Sequence, residues 1–467
     1  MIANLKNFTK KNILGLIFLI LFLNFLTNNL TDSSSGIFNQ LNIYNLGSFL
    51  ISSLLYFFIA KNINETLHLN SVSLSISYFF ISFFLFETLL SLMQITIHKD
   101  LSFVLITLLW VVFFIYKKKY IDIFFLSIVY AILRIYNNLF LVNLLNNNNF
   151  KELNTDVTVQ WLPIAESIYQ DGYFFAFTNN IIENQSLLPS YIQTLIFKIN
   201  FNLSIFEFIQ PNSYLVVFLT ILIFIDLEIS KKNKTLTIGI FLLLIINNEW
   251  LFYLISNSLM LEGIVGFLFT AFMINYKKFI LNHNKYQDLY FLFLGCLVLT
   301  KQFISLLSLI IIILSLLVVR KNSKVLLSFI PLLIDYLTKL ILSLNTSIVT
   351  YADGLNYTDI IKDILFFNNL ELNNIILILG QLFIDKPLTL LLLIYFLSNF
   401  IYIYKTKKII NLNLIYFYIG ISNFLFIFIL YITYWKNIEI QSSYRYVVNL
   451  FSLYLASTAI NLDYLEK

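Results

Sequence analysis

Runs of about 20 apolar residues recur from one end of this chain to the other, and they limit the fold more than any motif does. The first lies near 12–30 and is built around "ILGLIFLILFLNFL". In a bilayer, a run of that length can satisfy its backbone polar groups only as a helix, since a strand needs neighbours to close a barrel. The bulk composition agrees. Hydrophobic residues make up 59% of the 467 residues and charged residues only 12%, where soluble domains carry about 25% charged residues. Mean hydropathy is +0.83. The sequence therefore predicts an all-α polytopic membrane protein embedded in a lipid bilayer. No basic patch is interleaved with stacking aromatics, so nucleic acid is not an expected partner.

Cys296 is the only cysteine and lies in an apolar run, so it forms no internal disulfide and is read as packing. His68, His98 and His283 fall in separate loops and give no metal-ligand spacing. The basic start and apolar core of "KNFTKKNILGLIFLILFLNFL" resemble a signal sequence. No small-x-small cleavage site follows, and a retained first helix is expected.

The apolar runs predict helices near 12–30, 46–60, 72–95, 101–116, 120–145, 211–229, 235–248, 258–275, 287–300, 303–319, 324–343, 386–404, 411–434 and 446–462. That is about 13–14 spans. Lysine and arginine mark the cytoplasmic ends of spans. With fourteen spans and both termini cytoplasmic, the clusters at Lys6/Lys10/Lys11, Lys61, Lys117–Lys119, Lys231/Lys232/Lys234, Lys277/Lys278, Arg320/Lys321/Lys324 and Lys405/Lys407/Lys408 all fall inside. One miscounted helix would have reversed every later cluster. The chain divides into five N-terminal membrane helices (1–145), an outer loop (146–210), a membrane core (211–343), a second outer loop (344–385) and C-terminal membrane helices (386–467). Two stretches in the outer loops, "LPSYIQTLIFKINF" (188–201) and "NNIILILGQLFI" (373–384), are too short to span and are expected to lie in the interface or re-enter slightly.

Ionisable groups within spans need partners. Glu87 and Arg134 fall at similar depths and are expected to pair. Asp335 and Lys339, spaced i,i+4, are expected to pair with each other. Four further groups converge on the outer face: Asp156 in the first outer loop, Glu262 at the start of a helix, Lys301 at the end of one, and Arg445 at the start of the last. Each has an ordinary reading: Lys301 snorkelling, Arg445 anchoring a helix end, Glu262 favoured at a helix N-terminus. Together, a carboxylate loop and two cations at one depth suit an anionic substrate.

The order of these pieces carries a resemblance. An outer loop "NTDVTVQWLPIAESIYQDGYF" is followed by "LPSYIQ", then "NSLMLEG", then "LGCLVLTK", then "YRY" opening a late helix. Over about 145–460 this resembles the GT-C class of membrane glycosyltransferases, relatives of the protein O-mannosyltransferases and the lipid A aminoarabinose transferases. The chain differs from the class in having one acid in "TDV" and about four extra helices before the loop. The resemblance implies a sugar transferred from a polyprenyl-phosphate donor to a hydroxyl of a glycan, lipid or protein acceptor, with inversion, on the extracytoplasmic face of the inner (plasma) membrane. It implies Asp156 as the catalytic base. Lys301 and Arg445 would hold the donor phosphate. Trp161, Glu166, Tyr169, Glu262, Tyr444 and Tyr446 are further substrate-binding candidates, and Tyr173 is a third aromatic that can stack on a sugar. No cofactor is required, and a divalent metal is left open. An O-antigen polymerase or ligase is an alternative, although loops 146–210 and 344–385 hold no Arg or His. A transporter or lipid flippase is another, although 11 Gly and 5 Pro leave little material for broken helices.

Overall fold

The computed structural model describes residues 43–95, 99–117, 119–140, 162–178, 187–200, 209–246, 262–281, 286–300, 302–318, 323–342, 372–380, 388–406, 415–433, 447 and 450–466. Among the described residues the chain is helical and contains no strand. The first four helices are α1 (Ile43–Leu67), α2 (Val72–Leu92), α3 (Lys99–Tyr116) and α4 (Tyr120–Leu139). Three shorter ones follow: α5 (Leu162–Gln170), α6 (Tyr173–Thr178) and α7 (Leu188–Asn200). Then come α8 (Ile209–Asp226), α9 (Lys231–Ile246), α10 (Glu262–Leu281) and α11 (Gln287–Cys296), the last extended by a 3-10 turn at Leu297–Leu299. The remainder are α12 (Gln302–Val318), a 3-10 segment Ser323–Phe329 leading into α13 (Ile330–Ile341), α14 (Leu372–Leu379), α15 (Leu388–Thr406), α16 (Ile415–Thr433) and α17 (Phe451–Glu466).

Every apolar run expected from 46–60 onward coincides with one of these helices; the run at 12–30 lies outside the described residues. Among the described residues, five helices are long and apolar enough to cross a membrane: Leu46–Leu67, Val72–Leu92, Tyr120–Leu139, Glu262–Ile280 and Thr389–Thr406. Five shorter apolar helices accompany them. Aliphatic and aromatic side chains point outward along α3, α4 and α15, as at Leu108, Val112, Phe124, Ile135, Leu393 and Phe400. Outward apolar faces on helices of this length suit lipid. The protein is an all-α membrane protein.

One end of the bundle is tied together by carboxylates. Asp226, at the end of α8, accepts the Val72 and Ser73 amides at 2.9 and 2.6 Å and the Ser71 and Ser73 hydroxyls at 2.9 and 2.6 Å. These groups open α2, where backbone N–H donors have no partner within the helix and negative charge is favoured. Asn275 of α10 donates to the Ser71 hydroxyl at 3.0 Å, and the Lys278 ammonium bonds the Leu69 carbonyl. The tight link between α1 and α2 uses left-handed backbone at His68 (φ 48°) and Asn70 (φ 54°). A second carboxylate, Asp463 of α17, accepts the Ser230 amide at 2.8 Å and the Asn233 amide group at 3.0 Å, which caps α9. Lys119 with Glu65, and Lys324 with Asp288 at 2.8 Å, close the same end. This end therefore gathers Lys119, Lys231, Lys232, Lys278 and Lys324, and we call it the Lys-rich end.

Polar side chains also join helices within the bundle. Asn461 of α17 donates to Asn399 of α15 at 2.9 Å, and Asn423 of α16 donates to the Tyr454 hydroxyl at 2.7 Å. Hydrogen bonds of this kind hold helices where the surrounding lipid offers no hydrophobic drive. The sequence-based end of α17 at 462 is corrected to Glu466. Its last turn survives because Asp463 and Glu466, unfavourable at their own C-terminus, are used by the N-terminal turn of α9.

Candidate functional site

Six of the sequence-based candidates, Asp156, Trp161, Lys301, Tyr444, Arg445 and Tyr446, lie outside the described residues. Glu166, Tyr169 and Glu262 are described. Glu166 sits on α5 and accepts a hydrogen bond from Gln170 at 2.8 Å. Ile164, Ala165 and Ile168 of the same helix are buried, so α5 presses its apolar side inward and turns Glu166 and Asp171 outward. Tyr169 is half-buried against the apolar core. Glu262 opens α10 and is 2% exposed. Its position in the first turn places its charge where the helix dipole favours it.

Helix direction locates these groups. α10 ends in Lys278 at the Lys-rich end, so Glu262 stands at the far end. α11 begins next to Asp288 and runs away from that end to Thr300. α17 has Asp463 in its last turn and runs away from the Lys-rich end to Phe451, which packs on Phe241, and Ser452, which meets Thr270 at 2.8 Å.

At this far end, a polar cluster joins α5–α7 to the bundle. The chain leaves α5 through Gly172, whose φ of 100° suits glycine and few other residues. That reversal puts Tyr173 onto α2. Its hydroxyl lies 3.3 Å from the Thr88 hydroxyl, and its ring meets Phe84 and Tyr191 edge-on at 5.8 and 5.5 Å. The Glu87 carboxyl lies against the Tyr191 hydroxyl. Across the cluster, Asp335 and Lys339 of α13 form a buried ion pair at 2.9 Å, which bears out their expected pairing. Burial drives the Tyr173 and Tyr191 phenols well above their usual range, and the neighbouring Glu87 carboxylate adds to the effect in both. Both therefore remain neutral hydroxyls, able to donate and accept.

One expectation is corrected here. Glu87 and Arg134 are not joined by an ion pair among the described residues. The Arg134 guanidinium instead donates to the Lys198 carbonyl at 3.3 Å and lies over the Tyr130 ring. The two residues share a depth but not a facing direction. The stretch 188–201, too short to span, forms α7. As α7, it is buried at every residue except Lys198. Thr194 bonds the Ala165 carbonyl of α5 at 3.1 Å, and Asn137 of α4 bonds the Asn200 carbonyl at 2.6 Å. Nothing in the sequence singles out Thr88 or Tyr191. The polar stripe Ser190, Gln193, Asn200 on α7 was visible as spacing in an apolar stretch, but it was not read.

Among the described residues, no group of three or more His, Cys, Asp or Glu side chains could hold a metal ion. No protein-family model, curated protein or solved structure matches this chain.

Proposed function

We propose that this chain is a membrane glycosyltransferase that takes a sugar from a polyprenyl-phosphate donor and passes it to an acceptor hydroxyl. One observation carries the reading: α5–α7 are built into the end of the bundle opposite the lysines. The acid-bearing segment joins α5 six residues after Asp156. The chain reaches Lys301 directly after Thr300, and Arg445 stands two residues before Val447. Each of the three is joined in sequence to described structure outside the Lys-rich end. By the positive-inside rule, the Lys-rich end is cytoplasmic and the far end faces the extracytoplasmic side of the inner membrane.

In this reading Asp156 removes the proton from the acceptor hydroxyl, which attacks the anomeric carbon on the face opposite the phosphate. The C–O bond to phosphate breaks, and polyprenyl phosphate leaves as an anion stabilised by Lys301 and Arg445. The test is transfer of labelled sugar from a panel of polyprenyl-phosphate-linked hexoses in proteoliposomes. Asp156→Asn should lower transfer by about 10²–10⁴-fold with folding unchanged. Lys301→Ala and Arg445→Ala should weaken use of the donor. Full transfer by Asp156→Asn would remove the assignment. Movement of the lipid-linked sugar across the membrane without bond formation would favour a flippase.

A further inference from the structure

Buried polar atoms nearly always find hydrogen-bond partners, because leaving one unpaired costs about 1–3 kcal/mol. Among the described residues, several unpaired buried atoms lie on the three helices α1, α4 and α7, which are joined through Asn200. They are the Ser48 and Ser53 hydroxyls on α1, the Asn137 side-chain oxygen on α4, and on α7 the Ser190 hydroxyl and both amide atoms of Gln193. None of these five residues is more than 7% exposed.

Asn200 fixes the neighbourhood. Its carbonyl takes the Asn137 amide at 2.6 Å, and its side-chain oxygen takes the Tyr56 hydroxyl at 3.5 Å. Gln193 precedes Asn200 by seven residues, which is about two helical turns and a rotation of only about 20°. It therefore shares the face that Asn200 turns towards α1 and α4. Ser190 is one turn further along the same side, and Ser53 is one turn from Tyr56 on α1.

We propose that this junction is a binding site for an uncharged, hydroxyl-rich ligand of the sugar class. Amides and hydroxyls both donate and accept, which is what successive sugar hydroxyls require. The unpaired set carries no formal charge, so a charged ligand would lose its hydration there without gaining a counter-ion. An apolar ligand would leave the amide as unpaired as before. Arg134, one turn before Asn137 on α4, is engaged with the Lys198 carbonyl and the Tyr130 ring. The site uses none of Asp156, Lys301 and Arg445 and stands without the glycosyl-transfer reading; under that reading it supplies a sugar subsite.

The experiment is a thermal-shift titration of the full chain in nanodiscs with a panel of neutral hexoses and N-acetylhexosamines, and separately with sugar-free polyprenyl phosphate. At least one sugar should raise the melting temperature of the unsubstituted protein by a few degrees. Gln193→Leu should bind it at least tenfold more weakly, while its ligand-free melting temperature equals or exceeds that of the parent. Ser190→Ala provides the same comparison with a smaller change, should Gln193→Leu fail to fold. A panel that shifts nothing, or a shift that survives both substitutions, overturns the site. The polyprenyl-phosphate arm addresses the other reading. If the lipid phosphate shifts nothing while a sugar does, glycosyl transfer from a polyprenyl donor fails and the sugar site remains.

Discussion

The two ends of the bundle use polar groups in opposite ways. At the Lys-rich end each buried carboxylate is spent on several donors: Asp226 takes four from α2 and its cap, and Asp463 takes two from the start of α9. Towards the far end, Gln193, Ser190 and the Asn137 oxygen have no partner at all. A protein in lipid gains nothing by keeping unpaired amides in its interior. Gln287, at the start of α11, leaves one amide oxygen unpaired at the Lys-rich end as well, so the contrast lies between the carboxylate caps, whose oxygens are used several times over, and the polar side chains of α1, α4 and α7, several of which are not used at all. Polar economy in the structure, rather than charge density in the sequence, marks the boundary.

The sharpest way to break this comparison is at Asp226. Asp226→Ala removes the acceptor for two backbone amides and two hydroxyls at once, and should destabilise the protein by about 3 kcal/mol. The check is chemical unfolding in detergent, followed by loss of helix signal. A change below about 1 kcal/mol would mean that water takes over the cap and that the end is not locked. The effect at Asp463→Ala should be smaller, about 2 kcal/mol, because two donors are lost rather than four. Hydrogen exchange would sharpen it: peptides covering the start of α9 should open, whereas those in α2 should not.

Much of this architecture was legible in the sequence. The apolar runs located the helices because length and hydropathy are one-dimensional signals, and the pairing of Asp335 with Lys339 followed from i,i+4 geometry alone. The burial of Ile164, Ala165 and Ile168 was likewise readable from helical spacing. What could not be read depended on how helices are rotated against each other. Glu87 and Arg134 were matched by depth, yet they look in different directions, one towards Tyr191 and the other towards the Lys198 carbonyl. The capping roles of Asp226 and Asp463 were invisible because each serves a helix other than its own. The burial of α7 was not legible for a related reason: its length set it apart from the spans, and which helices cover it is not a one-dimensional signal. Asp156, Lys301 and Arg445 rest on the sequence alone.

The smallest expected effect gives the cleanest control, since one substitution can be made in both regions. Ser73 and Ser53 are both buried serines in long helices, at 0% and 7% exposure. The Ser73 hydroxyl donates to the Asp226 carboxylate at 2.6 Å, while the Ser53 hydroxyl has no partner. A hydrogen bond to a charged group is worth about 1.5–3 kcal/mol, so Ser73→Ala should cost roughly that much. Ser53→Ala removes an unpaired buried hydroxyl and replaces serine by the best helix former, so it should leave stability unchanged or raise it slightly. Parallel unfolding curves decide the matter. Equal losses at both positions would show that Ser53 is satisfied in solution and would withdraw one of the groups that define the proposed sugar site. A loss at Ser73 alone would show that the contrast between a hydroxyl spent on a carboxylate cap and one left unpaired is a property of the folded protein, with stability concentrated in the caps.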